Sequence, residues 1–341
     1  MKKLILVTGG TGYIGSHTVV ELQNAGFEVV IIDDLSNSTA DVVDNIEKIS
    51  GIRPAFEQFN LQNEQALEQF WMKYPGIEAI IHFAASKAVG ESVELPLLYY
   101  RNNLVSLMNL LSGMAEHQIN NLVFSSSCTV YGQPDQLPVT ENTPRKEAES
   151  PYGNTKAISE DIIRDFVKAN SGKNAIALRY FNPIGAHPSA LIGELPRGVP
   201  NNLVPYITQT AAGLREQLSV FGNDYDTPDG SCLRDFINVV DLAKAHVVAI
   251  KRLLDHKSQS GYEFFNVGTG NGVSVLELFH TFENANHVKL NYKIVGRRAG
   301  DIAKIYADTT KANNELGWRA EASLDETLKS AWEWEKKIRG I

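Results

Sequence analysis

The stretch “VTGGTGYIGSH”, residues 7–17, spaces Gly9, Gly12 and Gly15 three apart, directly after the apolar run “KLILV”. Such a run reads as a buried strand, and “YIGSHTVVELQNAG” behind it carries helical periodicity. At a strand-to-helix turn the first glycine permits a tight bend and the second lets the backbone approach a pyrophosphate. The third lets the helix lie against the strand. The free N–H groups and dipole at the helix start then face the phosphates. Glycines also collect in ordinary βα turns, so the context has to decide. Here the next apolar run, “FEVVIIDD”, ends on Asp33 and Asp34, the first of them 18 residues beyond Gly15. A carboxylate at that place accepts hydrogen bonds from an adenosine ribose diol and repels the additional phosphate of NADP, which selects NAD. For Asp34 taken alone, a turn residue or helix cap is the plainer reading.

Working outward, short β-branched runs alternate with longer helical patterns: “EQALEQFWMKYP” before “EAIIHFAAS”, “LLYYRNNLVSLMNLLSGMAEH” before “NLVFSSSC”, and residues 151–169 before “NAIALRYFNPIG”. This alternation means βαβ units and a buried parallel sheet. The expected fold is α/β, a doubly wound parallel Rossmann sheet of six or seven strands with a smaller, looser C-terminal substrate-binding region. Residues 1–181 form the dinucleotide-binding domain, with about 234–255 returning to it, and 182–341 form the second region. The change comes at “NPIGAHPSALIGELPRGVPNNLVP”, where proline, glycine and asparagine crowd out long helices and strands. Within the second region “RDFINVVDLAKAHVVAIKRLL” and “YEFFNVGTGNGVSVLELFHTF” each read as a strand followed by a helix.

Composition bounds the function. With 341 residues, 43% hydrophobic and 21% charged and without blocks of like charge, the chain can bury a large core and does not read as disordered. A formal charge of −8 argues against nucleic acid as a partner, since neutralising phosphates needs a basic face. Cys128 and Cys232 are too few and too far apart for a disulfide framework, which points to a reducing, cytoplasmic setting. The start “MKKLILVTGG” imitates a signal peptide, but its apolar run ends at the glycine turn, and no window approaches the ~20 apolar residues of a membrane span. The eight histidines lack HxxH or HxxxH spacing, so the sequence supports no metal site.

“SPYGNTKAISED”, residues 150–161, places Tyr152 and Lys156 on one helix face. A tyrosine that acts as a base near neutrality needs its pKa lowered by about 3 units, or about 4 kcal/mol. An ammonium about 5 Å away supplies roughly 3 kcal/mol at an effective dielectric of ~20. Spacing alone is equally that of an ordinary helical turn. Ser125, Ser126 and Ser127 change the weighting. They end a strand about 25 residues earlier, at the sheet edge where the glycine turn would hold a cofactor, and a serine hydroxyl there can share a proton with a substrate alcohol.

Gly9-x-x-Gly12-x-x-Gly15, Ser127 and Tyr152-x-x-x-Lys156 together resemble the extended short-chain dehydrogenase/reductase family. “HFAASKAVGES”, “SPYGNTK”, “LRYFNPIGAHPS”, “GVPNNLVPYI”, “FGNDYDTPDGSCLRDFINVVDLA” and “RRAGD” are similar to its UDP-glucose 4-epimerases over nearly the whole chain. The resemblance implies a tightly held NAD that takes a hydride from C4 of a UDP-hexose and returns it to the other face, with no net redox change. It implies Tyr152 as base, Ser127 as its hydrogen-bonding relay, and Lys156 as the group that tunes Tyr152 and binds the nicotinamide ribose. Matching cofactor positions are Gly9, Gly12, Tyr13, Ile14, Gly15, Asp33, Asp34, Asn37, Ser38, Asn60, Leu61, Phe83, Ala84, Ala85, Lys87, Asn102 and Phe181. Matching positions for the UDP-sugar are Asn182, Asn202, Leu203, Phe221, Arg234, Arg298, Asp301 and Ile305, where arginines suit a diphosphate. Family members often pair through two long helices, here around residues 97–116 and 152–169, which implies a homodimer.

Two positions depart from the family pattern. Asn60 stands where an aspartate is usual, which exchanges an ionic acceptor for an amide. Ile305 stands where either a tyrosine or a smaller residue is found, which leaves open whether N-acetylated UDP-sugars are accepted. Dehydratases of the family carry an Asp-Glu pair where this chain has Cys128 and Thr129, which argues against elimination. An epimerase of another UDP-sugar, a UDP-uronate included, and a non-catalytic NAD-binding regulator are the competing readings. The regulator has no need for Ser127, Tyr152 and Lys156 together.

Overall fold

In the computed structural model, which describes residues 2–298 and 302–341, the chain opens with β1 (Leu4–Thr8), the glycine turn and α1 (Tyr13–Asn24). It continues through β2 (Glu28–Asp33), α2 (Asp41–Ser50), β3 (Ala55–Gln58), α3 (Glu64–Lys73) and β4 (Ile77–His82). Next come α4 (Val89–Glu94), α5 (Pro96–Tyr100), a π-helical turn at Arg101–Val105, α6 (Ser106–Glu116), β5 (Asn121–Ser127), α7 (Pro151–Ala169) and β6 (Asn174–Tyr180). The later elements are β7 (Asn182–Ile184), α8 (Leu203–Ala211), β8 (Leu218–Phe221), β9 (Leu233–Arg234), β10 (Phe236–Asn238), α9 (Val239–Leu254) and β11 (Tyr262–Val267). After them run β12 (Val273–Ser274), α10 (Val275–Asn286), β13 (Tyr292–Val295), β14 (Lys304–Ile305) and α11 (Leu324–Arg339).

Seven strands in the order β11-β6-β5-β4-β1-β2-β3 form one sheet, and every pairing in it is parallel. The aliphatic runs explain this, because both faces are covered. Ile5 and Val7 pack with α1 and α9 residues on one side, while Leu6 packs with α3 and α6 residues on the other. From β1 the chain winds outward through β2 and β3 and then crosses to β4 on β1's other flank. The carboxyl ends of β1 and β4 therefore flank the crevice where doubly wound sheets bind ligands.

The return of the chain to this sheet runs further than residue 255. The strand “YEFFNV”, expected in the second region, is the edge strand β11 and pairs Tyr262 with Ala175 through Val267 with Tyr180. Residues 312–318 also join the sheet's core through Ala312, Leu316 and Trp318. The reason is covering: α9 packs beside α1 on the sheet, and the crossover from it delivers the next apolar strand to the free edge of β6. What remains of the second region packs α8, α10 and α11 around Ile207, Leu278, Phe279, Phe282 and Leu328, with short paired strands β8–β13, β7–β10 and β12–β9–β14. Among the described residues, no helix is long and apolar enough to cross a membrane.

Candidate active site

The glycine turn is built by close approach. A Cβ on Gly15 would lie 2.1 Å from the Gly9 carbonyl oxygen, so only glycine lets α1 begin there. Gly9 has φ +71°, and a Cβ on it would meet the Ala84 nitrogen at 2.8 Å, which seats the end of β4 against the turn. Phe83 N donates to Thr8 O at 3.0 Å and completes that seam. Gly12 caps α1 without a side chain, and the first turn holds no acidic residue. Its amide groups are thus left for an external anion, and these residues fit a dinucleotide's pyrophosphate.

Asp33 Oδ2 accepts from Thr11 N at 3.2 Å and Asp33 Oδ1 from Leu35 N at 2.9 Å, so this carboxylate also shapes the loop that follows it. Ser38 Oγ joins it at 3.3 Å, while Asn37 is exposed. Asp34 accepts from Asn60 Nδ2 at 2.8 Å, so the amide at this departure from the family pattern donates to a carboxylate where an aspartate would repel it. Leu61 puts its side chain into the core. Asn102 lies in the π-helical turn and donates to Ser86 Oγ at 3.1 Å. Ala85 is partly buried beside that serine, and Lys87 stands exposed with its Nζ 5.8 Å from the Tyr13 ring centroid.

Ser127, Tyr152 and Lys156 come together at the carboxyl end of β5. The seven residues of β5 are all buried, its serines included, so these are no solvated strand end. Ser150 caps α7 by accepting from Gly153 N at 3.1 Å, and Pro151 suits the first helical position, which together set Tyr152 in the first turn. The Tyr152 side chain, buried in that first turn, lies close enough to Ser127 for the serine to act on its phenol. Lys156 Nζ donates to Ser125 O at 2.6 Å and lies 5.9 Å from the Tyr152 ring centroid and 4.8 Å from that of Phe124. Burial pushes Tyr152 well above its ordinary pKa, Tyr180 and Cys128 add to this, and the nearby Ser127 hydroxyl opposes it. Reasoning from spacing counted the attraction of Lys156 but not the desolvation of Tyr152, and desolvation is the larger effect here. Burial also brings Lys156 down to about 8, against the pull of Glu160.

Glu160 escaped the sequence reading. It lies one turn beyond Lys156, accepts from Arg179 Nε at 2.9 Å and from Ser126 Oγ at 2.5 Å, and is 2% exposed. The signal available was an arginine inside the apolar strand “IALRYF”, which needs a buried partner. Asp235, directly after Arg234, was also missed. Its carboxylate accepts from Thr269 N, Gly270 N and Ala307 N, and its carbonyl accepts from Asn182 N, so it joins the chain segments that carry Asn182, Arg234 and Ile305.

The expected sugar-nucleotide residues form two groups. Ile305 pairs with Arg234 across β14 and β9 and is buried with Phe181 and Cys128. Phe221 is exposed at the end of β8, with the Arg298 guanidinium 5.3 Å from its ring centroid. Asn202 stands at the N-cap position of α8, where its side chain donates to Glu194 Oε1 at 2.5 Å instead of capping the helix, and Leu203 packs onto the α8–α10–α11 core. Asp301 lies outside the described residues. Glu68, Glu116 and His117 bring their ligand atoms within 4.8 Å of one another, a grouping from two helices that spacing could not reveal. Its carboxylates are exposed and it lies apart from the residues above.

The family model described as GDP-mannose 4,6 dehydratase matches residues 6–331. Where a dehydratase needs an acid and a base, Cys128 is pushed up to about 12 by burial and the Thr129 hydroxyl is buried without a hydrogen-bond partner. A UDP-glucose 4-epimerase of Dictyostelium discoideum is 50% identical over 331 residues, 97% of this chain and 95% of its own. The crystal structure of UDP-glucose 4-epimerase from Stenotrophomonas maltophila, with bound NAD and formylated UDP-arabinopyranose, superposes with a TM-score of 0.96 at 45% identity and covers 99% of both chains. That from Bifidobacterium longum, in complex with NAD+ and UDP, gives 0.94 at 44% identity, again covering 99% of both. Sharing about half its residues and its whole fold with these proteins, the chain belongs to the UDP-glucose 4-epimerase family.

Proposed function

We propose that this protein is an NAD-dependent UDP-glucose 4-epimerase, which interconverts UDP-glucose and UDP-galactose and serves galactose metabolism. The observation that carries the reading is the convergence of Ser127, Tyr152 and Lys156 at the carboxyl end of β5, the sheet edge that also holds the glycine turn. The glycine turn and the first amides of α1 would hold the pyrophosphate of NAD, which would supply the hydride acceptor and donor for C4 of the sugar. Tyr152 accepts the proton of the sugar's 4-hydroxyl and gives it back, with Ser127 sharing the proton at the phenol oxygen. Burial keeps Tyr152 neutral on its own, so its ionised form needs a cation. Lys156, tethered to the Ser125 carbonyl, supplies it and remains mostly charged at neutral pH.

On this reading Asp33, Asp34, Ser38, Asn60 and Asn102 surround the dinucleotide. Asn182, Asn202, Leu203, Phe221, Arg234, Arg298, Asp301 and Ile305 hold the UDP-hexose, Phe221 and the arginines at the nucleotide end and Ile305 beside the sugar. Product analysis tests this: the purified protein, carrying NAD, should form UDP-galactose from UDP-glucose. A protein that carries NAD and interconverts no UDP-hexose overturns it. UDP-N-acetylglucosamine run in parallel reports whether Ile305 leaves room for a larger substituent.

A cytoplasmic homodimer completes the proposal. Its location rests on the two free cysteines. Its assembly rests on an exposed apolar strip, Val89, Val93, Leu95, Leu97, Leu98 and Met108, between 44% and 79% exposed along α4 to α6. Sedimentation of a chain carrying Leu97→Glu and Leu98→Glu should give half the wild-type mass. An unchanged mass removes this face as the interface.

A further inference from the structure

The loop after β2 carries the candidate ribose residues, and it is held from two sides. From β2, Asp33 takes Leu35 N and Ser38 Oγ, and Leu35 stands at φ 60°, a left-handed conformation that its branched side chain does not favour. From the far side a single guanidinium collects three carbonyls. Arg197 Nη1 donates to Ser36 O at 2.7 Å, and Nη2 donates to Ser38 O at 2.6 Å and Leu35 O at 3.2 Å.

Arg197 lies on the segment that leads to Asn202 and Leu203. Three residues before it, Glu194 accepts from Asn202 Nδ2 at 2.5 Å and from Lys87 Nζ at 3.5 Å, and Lys87 reaches over the Tyr13 ring of the glycine turn. The base of the segment is clamped, since Trp334 Nε1 donates to Glu194 O at 3.0 Å and a Cβ on Gly193 would lie 2.6 Å from the Trp334 ring. Its middle is not: Leu195 and Val199 are 47% and 63% exposed. Order there rests on polar ties rather than packing.

We propose that Arg197 is a positioning residue that couples the two nucleotide sites, by tying the segment entering α8 to the loop that holds the adenosine ribose. The proposal rests on the epimerase reading. A UDP-sugar that orders residues 194–203 then also stiffens the dinucleotide loop, and the dinucleotide acts on the UDP end by the same factor.

Exchange of bound NAD for isotopically labelled NAD, with and without UDP, tests this on the purified protein and on Arg197→Ala and Arg197→Lys. In the wild type UDP should slow exchange about fivefold or more. In Arg197→Ala exchange without UDP should be roughly tenfold faster, the UDP effect should fall towards one, and amide hydrogens of residues 35–39 should exchange faster. Arg197→Lys keeps the charge but loses the fork, so it should fall between, and it carries the comparison should the alanine variant not fold. An unchanged exchange rate overturns the proposal, and so does faster exchange with the UDP effect intact, which makes Arg197 a loop brace only. A wild type without bound NAD or epimerase activity overturns the functional reading and this coupling with it.

Discussion

Tyr152, Lys156 and Glu160 follow one another at single-turn intervals along α7 and face the sheet: Tyr152 beside Ser127, Lys156 bonded to the Ser125 carbonyl, and Glu160 to Arg179 and Ser126. Replacing Tyr152 by phenylalanine removes the proposed proton acceptor while the ring keeps its packing. Turnover should fall by about 10²–10⁴-fold with NAD content and melting temperature nearly unchanged; near-normal turnover would show the base is misassigned. Glu160 is structural in the first place. Burial works against the Arg179 charge and Glu160 outweighs it. Glu160→Ala strands that guanidinium and should lower stability by about 3–5 kcal/mol in urea unfolding. Tyr152 and Lys156 were legible because periodicity places them on one face. Glu160 was not, because its partner is 19 residues away and only the sheet brings them together.

At the scale of the element, the unit β1–turn–α1 carries the candidate dinucleotide site, and its tightest point is Gly15. Gly15→Ala forces its new Cβ against the Gly9 carbonyl, so α1 must shift off β1. The variant should lose bound NAD and about 1–3 kcal/mol of stability, read by absorbance and thermal melting. Retained NAD would mean that the turn is softer than its geometry. This unit was legible in the sequence because strand, turn, helix and acidic partner are local and consecutive. β11 was misplaced because the sheet neighbour of “YEFFNV” lies about 85 residues upstream, with proline- and glycine-rich chain between them. The π-helical turn at Arg101–Val105 was hidden as well, since one wide turn leaves the surrounding apolar periodicity nearly intact.

For the whole molecule, three buried histidines contribute to the response to acid. His17, His82 and His246 are at most 2% exposed, and burial brings them to about 3, about 3 and about 4. His17 and His246 each donate Nδ1–H to a backbone carbonyl, which leaves Nε2 unpartnered and a second proton without an acceptor. Below about 6.5 the unfolded chain binds protons that the folded chain refuses, so stability is complete above that pH and falls as pH drops towards 4. Each histidine contributes up to about 1.4 kcal/mol per pH unit in that window. Urea midpoints should therefore decline between about pH 7 and pH 5, and decline less with His17→Gln and His246→Gln together. A midpoint indifferent to pH contradicts this. By itself the sequence determined the Rossmann class, the preference for NAD and the family, because each is written in short spacings or long matches along one chain. The tertiary structure decided which later segments return to the sheet, that burial outweighs the Lys156 attraction at Tyr152, and that Arg197 ties two distant loops. Burial and long-range contact depend on what covers a residue, and that is settled only when the whole chain packs.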